Sequence, residues 1–207
     1  MKPGRLAALL LTSSVLLFLN CIYATFQTPE VTPPGRVAVG LGGAGGITFL
    51  GDGGYPTLEA DLYTRVGLFP RADAGLRLAL PLGLMADFRY QVLRRPLLLT
   101  AGLGVQHFTR QGHEFGREVD RAYWNVYPTV LFGSRRVFGG VRAIVVNEDD
   151  RLTGRATTRV YPGVLAGASV GGRFRATPEF NLLIGPSSIE DVPRLVTCFG
   201  LGLQFTI

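Results

Sequence analysis

Lysine is nearly missing from this sequence. The chain of 207 residues has 21 basic residues, and Lys2 is the only lysine among them. The arginines that follow are dispersed along the chain, whereas nucleic-acid-binding proteins typically carry a basic patch interleaved with aromatic residues. The sequence therefore argues against a nucleic-acid partner.

Cysteine and histidine are also scarce. Cys21, Cys198, His107 and His113 form no CxxC pair and have no metal-ligand spacing, so we expect no metal site. A serine-type active site needs a serine, a histidine and an acid that converge, and the motifs of barrel lipases and proteases are absent. We expect no catalytic residues, and a lipid-modifying enzyme that uses His107 or His113 stays as the second alternative.

A nucleotide-binding loop is excluded on mechanism. Gly40, Gly42 and Gly45 have G-x-G-x-x-G spacing in "VAVGLGGAGG". That motif binds a pyrophosphate only where a helix begins directly after it, and the following "ITFLGDGGYP" cannot start one. We expect no cofactor, and we expect these glycines to lie on a lumen-facing strand.

The first residues have the pattern of an export signal. Lys2 and Arg5 precede an apolar run from Leu6 to Leu19, which at about 14 residues is too short for a spanning helix. We assign residues 1–24 to a signal peptide. "FLNC" resembles a bacterial lipobox, which would make Cys21 the lipidated first residue of the mature chain. "IYA" offers an ordinary cut after Ala24 instead, and we expect residues 25–34 to form an extended periplasmic linker.

Strand patterns fill the remainder. After Pro34 no ten-residue stretch keeps an apolar face at helical spacing, whereas alternation with a period of two recurs about ten times. In "LMADFRYQV", for example, Leu84, Phe88 and Tyr90 share one face while Asp87 and Arg89 share the other. The pattern predicts an all-β fold with two faces that require different solvents.

The joints between these strands alternate in length. Those after the second, fourth, sixth and eighth strands are tight, whereas most of the others are longer and polar. Short turns at one end and long loops at the other are typical of outer-membrane barrels. The chain resembles a small bacterial outer-membrane β-barrel protein over residues 35–207. The resemblance implies an antiparallel up-and-down transmembrane β-barrel of about ten strands in the bacterial outer membrane, with membrane lipid as its surroundings.

The last residues extend this resemblance. "GLGLQFTI" is similar to the C-terminal signal that the barrel-assembly machinery reads in such proteins, with its matching positions at Gly202, Leu203, Phe205 and Ile207. The resemblance thus implies that this machinery is a partner.

The polar face defines a candidate site. If the apolar face contacts lipid, a near-balanced set of charges faces the lumen: Glu59, Asp61, Arg65, Asp73, Arg77, Asp87, Arg89, Arg142, Arg159, Arg175 and Glu179.

Three functions stay open at this point. A charge-filled lumen favours a non-enzymatic barrel that is either structural or a narrow passive pore, with a small anionic solute as its candidate substrate because arginines favour anions. The first alternative is a surface adhesion or binding barrel that acts through loops 109–122 and 147–157, and the second is the enzyme named above.

Overall fold

A computed structural model describes residues 24–50, 53–80, 83–114, 117–186 and 193–207. Cys21 and the rest of the expected signal, up to residue 23, lie outside this part of the chain. Among the residues that the structure describes, no helix is long and apolar enough to cross a membrane.

Eleven strands follow one another in the described part of the chain. Their bounds are β1 Val37–Leu50, β2 Gly53–Phe69, β3 Ala72–Leu80, β4 Gly83–Leu93, β5 Leu98–Glu114, β6 Arg117–Gly133, β7 Val137–Asp150, β8 Arg155–Ala168, β9 Val170–Gly171, β10 Phe174–Pro186 and β11 Pro193–Thr206.

Each strand pairs antiparallel with its neighbour in sequence, and the sheet closes on itself. β9 has only two residues and continues the position of β8 beside β10, so the wall has ten strands. Closure comes from β11, which pairs with β10 on one side and with β1 on the other, from Ala38↔Thr206 to Leu50↔Arg194. A closed sheet satisfies its backbone hydrogen bonds within the protein, as a hydrocarbon environment requires.

The apolar side chains point outward. In β4 the exposed residues include Leu84, Phe88 and Tyr90, whereas Asp87 and Arg89 between them are buried. The terminal strand follows the same rule, since Phe199 and Leu201 are exposed. This arrangement is the inverse of a soluble barrel and suits an apolar solvent. The fold is therefore an all-β, up-and-down transmembrane barrel, as the alternation predicts.

The two ends of the barrel differ. The end at which β1 begins and β11 finishes, here called the near end, has joints of two to four residues, at 70–71, 94–97, 134–136 and 172–173. The opposite, far end carries the tall hairpins of the wall. β3 and β4 have 9 and 11 residues, which is about the length that crosses a bilayer, but β5 and β6 have 17 each.

The expected loops 109–122 and 147–157 are mostly strand. β5 and β6 stay paired as far as Glu114↔Arg117, and β7 and β8 as far as Asp150↔Arg155. Only residues 151–154 form a turn between β7 and β8. The polar residues misled the prediction because a hairpin that projects into water can be polar on both faces, which removes the alternation on which the sequence interpretation depends.

A charged residue introduced on the outer wall tests whether that wall faces the membrane. Leu62 lies near the middle of β2 with 53% of its surface exposed, and Phe69 lies at the near-end rim with 65% exposed. We expect Leu62→Arg to lower the free energy of unfolding in lipid vesicles by about 2–4 kcal/mol and Phe69→Arg by about 0–1 kcal/mol, since the cost of a charge falls toward the interface. Denaturant titration measures both values. Equal costs at the two positions would contradict a membrane-embedded wall.

Candidate functional site

The lumen holds the segment that precedes the first strand. Residues Ala24–Pro34, here called the lumen segment, enter at the near end, where Pro34 bridges to Gly67. The segment continues inward to Ala24, which has no exposed surface. Phe26 and Val31 are 3% and 5% exposed. This position corrects the expected periplasmic linker over 25–34.

Phe26 sits in a recess that glycines create. A Cβ added at Gly200 or Gly202 of β11 would lie 2.7 Å from Phe26 atoms, and one at Gly42 of β1 would overlap the ring. The guanidinium of Arg77 lies 5.5 Å from the ring centroid on the lumen side. Gly42, one member of the supposed nucleotide motif, therefore leaves space for an aromatic ring from the same chain.

Glu179 of β10 binds the innermost part of the segment. Its Oε1 accepts hydrogen bonds from the backbone N of Thr25 at 2.7 Å and from Asn181 Nδ2 at 2.7 Å. Its Oε2 accepts from Thr25 Oγ1 at 2.6 Å and from the backbone N of Phe26 at 3.0 Å. Glu179 is 1% exposed, so these four bonds replace the water that a buried carboxylate loses.

A second group of charges binds the segment nearer the opening. Arg65 pairs with both Asp73, at 2.6 Å, and Asp87, while Arg89 pairs with Asp73 at 2.5 Å. Asp73 also accepts a bond from the backbone N of Thr32 at 2.7 Å. Buried ion pairs are stable only where further hydrogen bonds satisfy the remaining polar atoms. The lumen segment supplies such bonds to this cluster.

Carbonyl groups of the segment are bound as well. Arg89 Nη1 donates to Thr28 O at 2.8 Å, and Pro29 O accepts from Gln91 Nε2 at 3.0 Å and from Thr100 Oγ1 at 2.5 Å. Arg77 Nη1 donates to Ala24 O at 2.7 Å. Because the barrel binds the backbone on both its donors and its acceptors, the segment is held in one register.

The eleven predicted lumen charges separate into groups. Nine of them are buried: Glu59, Asp61, Arg65, Asp73, Arg77, Asp87, Arg89, Arg142 and Glu179.

The other two lie toward the rims and are half-buried. Arg159 pairs with Glu148 at 3.1 Å on the far side, and Arg175 pairs with Glu30 of the lumen segment at 3.0 Å. The structure therefore brings most of the set together around the segment rather than around an open channel.

Beyond Ala24 the lumen is filled by side chains that no charge pattern indicates. Gln106, Asn125 and Tyr127 form a buried cluster in which Tyr127 Oη and Asn125 Nδ2 both donate to Gln106 Oε1, at 2.5 and 3.2 Å. Apolar and aromatic residues from eight strands pack around it: Ala79, Met85, Phe108, Tyr123, Ile144, Val146, Tyr161, Leu183, Val196 and Cys198. The only sequence signal for this layer is that each of these residues lies on the inward face of a strand whose side chains alternate between two faces.

A cavity remains in the near half of the described lumen. It has a volume of about 220 Å³ and opens at the near end between the lumen segment and the wall formed by β2, β3, β10 and β11. Tyr63, Arg77, Arg175 and Gln204 line it together with the lumen segment from Thr25 to Thr28 and from Glu30 to Pro33. Tyr127 does not line this cavity, and a second, much smaller cavity of about 20 Å³ is lined by Ala24, Tyr127 and Arg142 among others.

His107 does not lie in the lumen layer. The ring of His107 is exposed on the outer wall, stacks on Trp124 with a centroid distance of 4.3 Å, and contacts Tyr123 O through Nδ1 at 3.0 Å. The side chain of His113 lies outside the described part of the structure. His107 is therefore placed with an aromatic ring at the outer surface and not beside a serine and an acid.

The terminal residues form part of the seam that closes the sheet. Gly202 faces inward against Phe26, whereas Phe205 and Ile207 are exposed and Leu203 is half-buried. The role of these four residues in assembly stays a prediction.

Known proteins resemble this chain in fold. The solved structures that the chain resembles are small outer-membrane β-barrels. Neisserial surface protein A has a TM-score of 0.36 and 12% identity over 81% of this chain and 97% of its own. The outer membrane protease OmpT of Escherichia coli has a TM-score of 0.37 and 12% identity over 88% of this chain and 100% of its own. The attachment invasion locus protein Ail of Yersinia pestis has a TM-score of 0.31 and 14% identity over 83% of this chain and 99% of its own.

These likenesses concern the barrel fold and carry no argument about activity or ligands. No protein-family model and no curated protein matches the chain.

The glycine recess gives a direct test of segment binding. We expect Gly42→Leu to expel Phe26, because its side chain would occupy the space of the ring, and to make the bond after Phe26 cleavable by chymotrypsin in the folded barrel. Gly43→Leu is the matched control, since a Cβ at Gly43 meets nothing closer than 3.8 Å. Mass spectrometry of the digests identifies the cut. Protection of this bond in both variants would contradict the recess.

Proposed function

We propose that this protein is a non-enzymatic β-barrel of the bacterial outer membrane whose lumen is sealed, so that its role is structural. The observation that carries the proposal is the occupied lumen: the lumen segment fills the near half, and the layer around Tyr127 fills the half beyond it. The apolar outer wall supports a membrane location.

The sealed lumen distinguishes the structural role from the narrow pore. A passive anion pore needs a continuous water-filled path along which arginines attract the solute. In the near half, Arg65 and Arg89 are directed to carboxylates and carbonyl groups of the protein itself. In the layer beyond, Tyr127, Ile144 and Leu183 are each at most 2% exposed. These contacts favour a barrel that does not pass a small anionic solute.

Planar-bilayer recording tests this proposal. We expect the purified, folded protein to give no unitary conductance steps in chloride solution, because ions have no continuous aqueous path through either layer. We expect Gly42→Leu to give no steps either, since it displaces Phe26 and leaves the Tyr127 layer in place. Reproducible steps from the unaltered protein that depend on protein concentration would contradict the sealed barrel and restore the pore.

Projecting hairpins favour a second candidate function, adhesion or binding at the cell surface. β5 and β6 exceed the shortest wall strands, β3 and β4, by 6 to 8 residues, which is about 20–27 Å of strand. β6 remains paired with β7 up to Arg121↔Asp150, so the hairpins join into one projecting sheet. Arg121 and Arg159 both pair with Glu148, at 3.2 and 3.1 Å, which holds that sheet together.

A shortened hairpin tests the second candidate. We expect a variant without residues 112–119, in which a two-residue Asn-Gly turn joins the paired residues Gln111 and Asp120, to keep the barrel and to lose binding of the protein-bearing vesicles to target cells, since the projecting surface would be gone. Folding is checked by the change in gel migration on boiling. Binding that persists unchanged would remove this hairpin as the adhesive surface.

A further inference from the structure

The innermost end of the lumen segment lies about halfway along the barrel. Ala24 is completely buried, and a Cβ at Gly200 would lie 3.1 Å from the Cβ atoms of both Ala24 and Ala44. Ala44 is seven residues into β1 from the near end. The Ala24–Thr25 peptide bond is therefore enclosed by the wall of the barrel and not located at an opening.

Carboxylates surround this peptide bond. The backbone N of Thr25 lies 2.7 Å from Glu179 Oε1, and the backbone N of Ala24 lies 3.2 Å from Glu59 Oε2. Asp61 is also close, because Arg77 Nη1 binds Ala24 O and lies 3.6 Å from Asp61 Oδ2. A positive charge on the nitrogen of Thr25 would thus meet an acidic environment.

The buried carboxylates of the lumen outnumber the buried guanidiniums by one. Among the described residues, the buried charged groups are five carboxylates, on Glu59, Asp61, Asp73, Asp87 and Glu179, and four guanidiniums, on Arg65, Arg77, Arg89 and Arg142. Their formal charges leave one negative charge in excess. An unbalanced buried charge is costly, so a single ammonium group at this position would stabilise the barrel.

We infer that the mature chain begins at Thr25 and that its α-ammonium group is bound by Glu179 inside the lumen. The cut is a hydrolysis by an export-coupled endopeptidase: the C–N bond between Ala24 and Thr25 breaks, water supplies the hydroxyl of the new Ala24 carboxyl group, and the Thr25 nitrogen becomes an amine that is protonated. Ala24 is the small residue that such a cut requires.

Removal of Ala24 ends the bond from its backbone N to Glu59 and makes a donor available to Asp61. Both carboxylate oxygens of Asp61 are buried and lack a hydrogen bond within the described structure. Arg77 Nη1 now donates to Ala24 O, and Asp61 Oδ2 is 3.6 Å away. Once Ala24 leaves, this donor is released toward Asp61, while Thr25 Oγ1 and the backbone N of Phe26 keep their bonds to Glu179.

The same geometry argues against a lipid on Cys21. An extended chain covers at most about 3.6 Å per residue, so the three residues between Cys21 and Ala24 could span about 11 Å. An acyl group on Cys21 would have to reach the hydrocarbon over that length, starting from inside a closed wall. Cut after Ala24, the chain loses Cys21 altogether.

This inference goes beyond the sealed-barrel proposal and is tested without reference to conductance. Every basic residue after Lys2 is arginine, so the α-amine is the only primary amine of a chain that spans residues 25–207. An amine-reactive N-hydroxysuccinimide ester therefore reports on this group alone. We expect an intact mass that corresponds to residues 25–207, and we expect acylation about 100-fold slower in the folded barrel than after boiling in detergent.

Glu179→Gln probes the partner of the amine. Because the neutral amide forms no ion pair with the ammonium and holds it less tightly, we expect the α-amine of this variant to react in the folded barrel. Glu148→Gln is the matched control, since Glu148 pairs with Arg121 and Arg159 on the far side and has no described contact with the segment. We expect the amine of this control to stay protected.

Each outcome decides the inference. A purified protein whose mass includes residues 21–24, with or without acyl groups, would overturn it. So would an α-amine that reacts at the same rate in the folded and boiled protein. If Glu179→Gln fails to fold, as judged by migration without boiling, the comparison of folded and boiled unaltered protein still decides the question. Conductance steps with a protected amine would overturn the sealed barrel and leave this inference intact.

Discussion

The interior of this protein depends on hydrogen-bond donors that reach its buried carboxylates. Glu179 and Asp73 have at most 1% of their surface exposed, and both take hydrogen bonds from backbone N–H groups of the segment that precedes β1. Without that segment these buried groups would lose hydrogen-bond partners. The segment and the charged wall therefore stabilise each other, and the arginines that could line a channel hold this chain in place.

The outer wall follows a different requirement. Its strands present Leu, Val and Phe to the surroundings and hide their polar residues, so the barrel has hydrocarbon-like surface outside and a hydrogen-bonded interior. Glycine connects the two requirements, because Gly42, Gly200 and Gly202 leave a recess for Phe26 without any change in the outward residues of β1 and β11. The interior can thus accept an aromatic ring while the lipid-facing wall stays continuous.

The height of the wall separates the two candidate roles. Around β3 and β4 the wall is only as tall as a membrane requires, and around β5 and β6 it extends well beyond. The short side and the filled lumen suit a structural barrel. The tall side exposes a sheet whose ion pairs, centred on Glu148, hold it in a defined shape outside the membrane. A sealed barrel can carry such a surface, so the two roles are compatible.

The sequence by itself determined the fold class, because side-chain alternation with a period of two is a local property that shows which residues of each strand share a face. Asp87 and Arg89 could be placed on the inward face from their neighbours alone. Only the tertiary structure decided what those residues contact, since partners such as Thr32 and Asp73 are 41 residues apart and lie on elements with no common periodicity. It also decided the position of residues 25–34, whose proline-rich composition fits a tether as well as a bound chain. Binding depends on a recess and on charges that exist only after the sheet has closed.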